Sequence, residues 1–131
     1  QHRRRYEQLH AAIKAGLVRS CHDLSEGGLA VAAAEMAFAG HLGVALDVQP
    51  VCQSHDVSPG VALFSETNGR LLCEVESKDQ SRFESLLENQ CQLLGSSNQS
   101  NEMVINDGSQ NLIQADLDTL KAAWQQPLDW K

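Results

Sequence analysis

The sequence predicts an α+β fold in which α-helices pack on a mixed β-sheet, and three observations carry that prediction. Helical and strand periodicities interleave along the chain instead of segregating into one class. The stretch from Gly28 to Ala39 is apolar nearly all round apart from Glu35, so it calls for a helix buried on several sides. An Asp107-Gly108 pair stands between Met103-Val104-Ile105 and Asn111-Leu112-Ile113, the arrangement of a β-hairpin.

The elements follow in order. Tyr6, Leu9, Ile13 and Leu17 recur at helical spacing, and Gly16 ends that first helix. No capping residue precedes it, so a chain cut from a longer polypeptide is expected. Leu17 to Cys21 reads as a short buried strand leading into a His22-Asp23 turn, and the Ala-rich helix follows, with Gly40 and Gly43 bracketing its exit. Val44 to Val48 alternates as a strand. Gln49 to Gly60 reads as a loop, with Pro50 and Pro59 as breakers. A polar turn over Phe64 to Asn68 leads into a strand at Arg70 to Glu76. Lys78 to Gln90 places Phe83, Leu86 and Leu87 on one helical face, Cys91 to Gly95 is a strand candidate, and Ser96 to Asn101 is a polar turn. After the hairpin, Asp116 caps a last helix from Leu117 to about Gln125, which Pro127 stops. Trp124 follows Leu120 by one turn and is expected to pack inward, and Trp130 to anchor the tail on this domain or on a neighbour.

At 131 residues the chain fits one domain, 1–131, able to bury roughly two-thirds of its unfolded surface. With 42% hydrophobic and 21% charged residues it has the composition of a folded globular protein. Its formal charge of −7 opposes binding to nucleic acid or an anionic membrane surface, since both are polyanionic. No apolar run reaches the roughly 20 residues of a membrane span, and a cytoplasmic location is expected. Cys21, Cys52, Cys73 and Cys91 form no Cys-x-x-Cys pair, so reduced thiols are the expectation and a zinc site built on Cys52 and His55 lacks further ligands.

The most informative segment is His22-Asp23-Leu24-Ser25-Glu26-Gly27-Gly28, directly ahead of the Ala-rich helix. The first amides of a helix lack intrahelical acceptors and carry the positive end of its dipole, and glycine admits a ligand to them; this makes His22, Asp23, Ser25, Gly27 and Gly28 candidate nucleotide- or phosphate-binding residues. The competing reading is an N-capped turn in which Asp23 or Ser25 accepts a backbone hydrogen bond and Glu26 completes a capping box. Asp23 and Glu26 would repel a bare anion by roughly 4 kcal/mol at 4 Å and an effective dielectric of 20, so a phosphate there needs Mg²⁺ or basic groups from elsewhere. A Cys21-His22 dyad is disfavoured because adjacent strand residues face opposite ways. Glu35 is expected to pair with a basic or polar group, since an unpaired buried carboxylate is costly.

Taken together, Gly16 to Leu29, Ala34-Glu35-Met36-Ala37 and Leu63-Phe64-Ser65-Glu66-Thr67-Asn68-Gly69-Arg70 resemble the C-terminal domain of the aminoimidazole-ribonucleotide (AIR) synthetase superfamily, over nearly the whole chain. Within it the pattern is most similar to the formylglycinamidine ribonucleotide synthases of small-subunit type, and to the second of their two such domains. The resemblance implies an ATP-dependent ligase of purine biosynthesis, with ATP and Mg²⁺ used by the full enzyme and no cofactor held by this fragment. It implies as partners the preceding domains of the polypeptide, a glutaminase subunit and a small accessory subunit. Catalytic residues would lie in the preceding domains, leaving none here, and this domain would shape an interdomain nucleotide cleft. Glu66, Thr67 and Asn68 correspond to a substrate-contacting stretch of the first domain, with Asn68 in place of a glutamine; a structural turn is the alternative. Other superfamily members (cyclo-ligase, selenophosphate synthetase, thiamine-phosphate kinase, hydrogenase-maturation protein) and a non-enzymatic interaction domain are the competing readings.

Overall fold

A computed structural model of the protein describes residues 2–88 and 90–128; the reading of Trp130 as a tail anchor falls outside them. The element order is α1 (His2–Lys14), β1 (Val18–Asp23), α2 (Gly28–Gly40), β2 (Gly43–Asp47), α3 (Gln49–His55), α4 (Pro59–Phe64), β3 (Leu71–Val75), a 3₁₀ turn (Ser77–Asp79), α5 (Gln80–Leu86), β4 (Gly95–Asn98), β5 (Glu102–Asn106), β6 (Asn111–Asp116), α6 (Leu117–Gln125) and a second 3₁₀ turn (Gln126–Leu128). This is the α+β class the sequence predicts.

The strands form two sheets. A four-stranded mixed sheet runs β4-β2-β5-β6, with β2 parallel to β5 and the outer pairs antiparallel. A separate two-stranded antiparallel sheet joins β1 to β3, with Cys21 opposite Cys73 and His22 opposite Leu72. α2 is the hub of the larger core. Gly28, Leu29, Ala30, Ala32, Ala33, Ala34, Ala37 and Phe38 are all buried, against Leu46 and Val48 from β2 and its exit, Ala62 and Leu63 of α4, Met103 and Ile105 of β5, and Leu117 of α6. Small alanine side chains let neighbouring backbones approach a helix on several sides, which an amphipathic helix with one apolar stripe would not permit. The second core is small: Leu9 and Ala12 of α1, Leu17, and Phe83 of α5, with Val18, Leu71, Cys73 and Val75 partly buried around them.

Several local expectations hold. Gly16 adopts φ 72 at the end of α1, the β5-β6 hairpin closes on the Asp107-Gly108 loop, and Asp116 caps α6 by accepting from the Thr119 amide at 2.9 Å. Others are corrected. Gln49 to Gly60 is not a loop but holds α3 and the start of α4. Proline in a first helical turn loses nothing, because that amide has no intrahelical acceptor and φ is preset; both Pro50 and Pro59 occupy such positions, and the Ser58 hydroxyl caps α4. Cys91 to Gly95 is not a strand. β4 instead begins at Gly95 and takes in Ser96, Ser97 and Asn98, the first half of the segment read as a turn, its residues all exposed and held by ladder bonds to β2, while Gln99 to Asn101 bend as expected. α5 is shorter than the predicted Lys78–Gln90 helix. On α1 the buried face is Leu9 and Ala12, while Tyr6 and Ile13 are about half exposed. His41, not a glycine, takes the left-handed position (φ 53) that ends α2 and donates its amide to the Ala37 carbonyl.

Candidate functional site

Where β1 ends, the chain turns through Leu24 to Gly27 and enters α2. Leu24 is buried and ties the turn to the β3 side through its amide, which donates to the Arg70 carbonyl at 3.2 Å. The capping-box expectation fails. The N-cap of α2 is Gly27, at φ 74, with no side-chain cap. The Ser25 hydroxyl donates to the Asp23 carboxylate instead, which holds that exposed carboxyl below its ordinary 3.8 with help from His22. The Gly27 amide donates to Glu66 Oε1 at 2.9 Å, so a carboxylate 39 residues distant occupies the start of the helix.

The two glycines have different duties. Gly27 is partly exposed and borders open space, although a Cβ on it would run into the Val31 side chain. Gly28, at φ 67, is buried, and a Cβ there would lie 2.7 Å from the Leu63 carbonyl oxygen and 2.9 Å from that of Ser65. It lets α2 press on the α4-β3 connection. That connection is held by Arg70, whose guanidinium donates to the Ala62 carbonyl at 3.0 Å and to the Ser65 hydroxyl at 2.7 Å.

A cleft of about 410 Å³ opens in front of this turn, lined by His22, Ser25, Glu26, Gly27, Val31, Glu35 and Trp124. Its floor is a small polar network. His22 Nε2 lies 2.8 Å from Glu35 Oε2, and its Nδ1 2.6 Å from the Asp23 carbonyl oxygen. The Trp124 indole donates to Glu35 Oε1 at 2.7 Å and its ring lies 5.7 Å from that of Phe38. Glu35 is thus paired, as its cost of burial requires, and α2, β1 and α6 are joined through one carboxylate.

Of the candidate binding residues, His22, Ser25 and Gly27 reach the cleft, together with Glu26 and Glu35, which the sequence singled out for their charge. Asp23 faces solvent beside it, Gly28 is buried behind it, and Glu66 arrives by its bond to Gly27, while Thr67 and Asn68 are exposed further along the same turn. Val31 and Trp124 are lining residues that sequence reasoning missed as site residues. Trp124 is 48% exposed rather than packed inward; its amphipathic spacing reports a helix face and cannot report a partner 89 positions away. The cleft's lining side chains include two carboxylates, Glu26 and Glu35, and no lysine or arginine. Among the described residues no three His, Cys, Asp or Glu groups gather as metal ligands, and both Glu35 oxygens already have partners.

This architecture is the α+β domain of the AIR-synthase type. Solved structures of Thermotoga maritima PurL share it: PurL complexed with FGAR superposes with a TM-score of 0.79 over 91% of this chain and 20% of that one, at 18% identity, and PurL complexed with ATP with 0.78 over 89% and 21%, also at 18%. The family model described as AIR synthase related protein, C-terminal domain, matches residues 1–108, and the chain belongs to that family. In sequence it is 35% identical over 122 residues to the phosphoribosylformylglycinamidine synthase subunit PurL of Lactobacillus helveticus, a match covering 93% of this chain and 15% of that relative. The chain thus spans about a seventh of the length of that relative.

Proposed function

We propose that this chain is the carboxy-terminal domain of a formylglycinamidine ribonucleotide synthase, the ATP-dependent ligase that converts formylglycinamide ribonucleotide to its amidine with ammonia drawn from glutamine. In this reading ATP and Mg²⁺ are bound by the assembled cytoplasmic enzyme, with a glutaminase and a small accessory subunit as partners; a Thermotoga maritima complex described as PurLQS shares the fold. The domain supplies no catalytic residue. Its part is to present the His22-to-Gly27 turn and Glu35-Trp124 as one wall of a nucleotide cleft that preceding domains complete.

One observation carries the reading: the glycine turn at the start of α2 faces an open cleft whose carboxylates disfavour a bare anion, so a phosphate there needs countercharge from outside this chain. The test is ATP hydrolysis by the full-length protein with each superfamily substrate in turn. ADP release that depends on formylglycinamide ribonucleotide together with ammonia or glutamine is the expected result. ADP release that depends instead on formylglycinamidine ribonucleotide alone would assign the chain to a cyclo-ligase. To place the cleft, Val31→Glu in the full-length protein, which adds a further negative charge to the lining, should weaken nucleotide binding by calorimetry; unchanged binding would remove the turn from the nucleotide site.

A further inference from the structure

The two-stranded sheet carries a pair of thiols that the cleft does not use. Cys21 of β1 and Cys73 of β3 are direct partners in the antiparallel register, and the Cys73 thiol donates to Cys21 Sγ at 3.5 Å. Residues directly opposite in such a ladder have Cα atoms about 4.5–5.5 Å apart, inside the range of about 4.4–6.8 Å that a disulfide spans. Both are free cysteines, and they differ in access: Cys21 is exposed and Cys73 partly buried against the small core. Burial, with Cys21 and Cys91 adding to it, pushes the Cys73 thiol up to about 12, so Cys73 stays protonated and is a poor first nucleophile.

The geometry points to Cys21 and Cys73 as a redox-modification site, a dithiol that a low-molecular-weight disulfide such as glutathione disulfide converts into a cross-strand bond stapling β1 to β3. The steps balance as follows. The exposed Cys21 loses its proton and attacks one sulfur of glutathione disulfide; that S–S bond breaks, a mixed disulfide forms on Cys21, and one glutathione leaves and takes up a proton. Cys73 then loses its proton and attacks Cys21 Sγ, forming the protein disulfide and releasing the second glutathione, which takes up that proton. Two protein thiols are oxidised by two electrons and one glutathione disulfide is reduced to two thiols. Excess thiol reverses the sequence.

The position gives the bond a consequence. β1 runs on from Cys21 directly into His22 and Asp23, so the staple fixes the strand end that carries one wall of the cleft. The joined residues are 52 apart in sequence, so closure removes many conformations from the unfolded chain.

The experiment equilibrates the intact protein with defined ratios of glutathione and glutathione disulfide, blocks free thiols by alkylation and maps peptides by mass spectrometry without reduction. A Cys21–Cys73 cross-linked peptide that dithiothreitol removes is expected, together with a Tm raised by on the order of 5–10 °C in the oxidised form. Cys91→Ser should leave the cross-link in place and Cys21→Ser should abolish it. A glutathione adduct on Cys21 with Cys73 still alkylated, or a cross-link from Cys73 to Cys91, would overturn the assignment. The wild-type peptide map decides even if Cys21→Ser does not fold.

Discussion

The two cores are built by different rules. Among the described residues, sixteen buried side chains gather around α2 into one cluster, whereas the cluster of α1, α5 and the residue before β1 holds four, with ladder side chains only partly buried beside them. Every residue of β3 is only partly buried, and a ladder of two strands has little stability of its own. The ladder sits between the two cores, with Leu71, Cys73 and Val75 of β3 against the small core and Leu72 against the large one. The cleft lies where the ladder meets α2, with His22 of β1 held by Glu35 of α2.

Paired core truncations test that contrast most strongly. Ile105, fully buried in the large core, should cost about 4 kcal/mol when changed to Ala and lower the melting of the whole domain, whereas Leu17→Ala should cost about 2–3 kcal/mol. Hydrogen exchange sharpens the comparison: Leu17→Ala should release the amides of β1 and β3 while those of β2 and β5 stay protected. Equal loss of protection in both sheets would show the halves to be one cooperative unit. Gly28→Ala should destabilise by about 3 kcal/mol, because it adds left-handed strain to a Cβ pressed on backbone carbonyls; a thermal melt within a degree of wild type would show that α2 can lift off α4. Glu35→Ala should cost about 1 kcal/mol by leaving His22 and the Trp124 indole without their acceptor, and indole emission should shift as Trp124 loosens. The smallest effect belongs to the far end of the large core. Asp107, held down to about 2 by the Ser109 hydroxyl and by the amides of Gln110 and Ser109, adds stability when ionised. That contribution is complete above about pH 4 and fades as pH falls from there through 2, and Asp107→Asn should flatten this part of the pH-stability curve.

What was legible follows the same division. α2, the β5-β6 hairpin and the Asp116 cap could be read because their signals are local: an apolar stretch, an Asp-Gly pair, a capping side chain at the right offset. α3 and α4 were hidden because proline starts a helix as readily as it stops one. β4 was hidden because its stability comes from backbone bonds to β2, and side chains such as Ser96, Ser97 and Asn98 carry no trace of that. In the site, the His22-to-Gly28 turn stood out, and its separation into a cleft-facing Gly27 and a packed Gly28 did not. Glu66 and Trp124 reach it across 39 and 89 residues, and sequence spacing is silent at such ranges.

The bond between Glu66 and the Gly27 amide means that the front of α2 is already served by a tethered guest. A visiting anion meets competition rather than a vacancy, and its apparent affinity is scaled down by the fraction of molecules in which the guest has swung aside. Any neighbour that draws Glu66 away, a cation most simply, would therefore raise occupancy at the helix without touching the visitor.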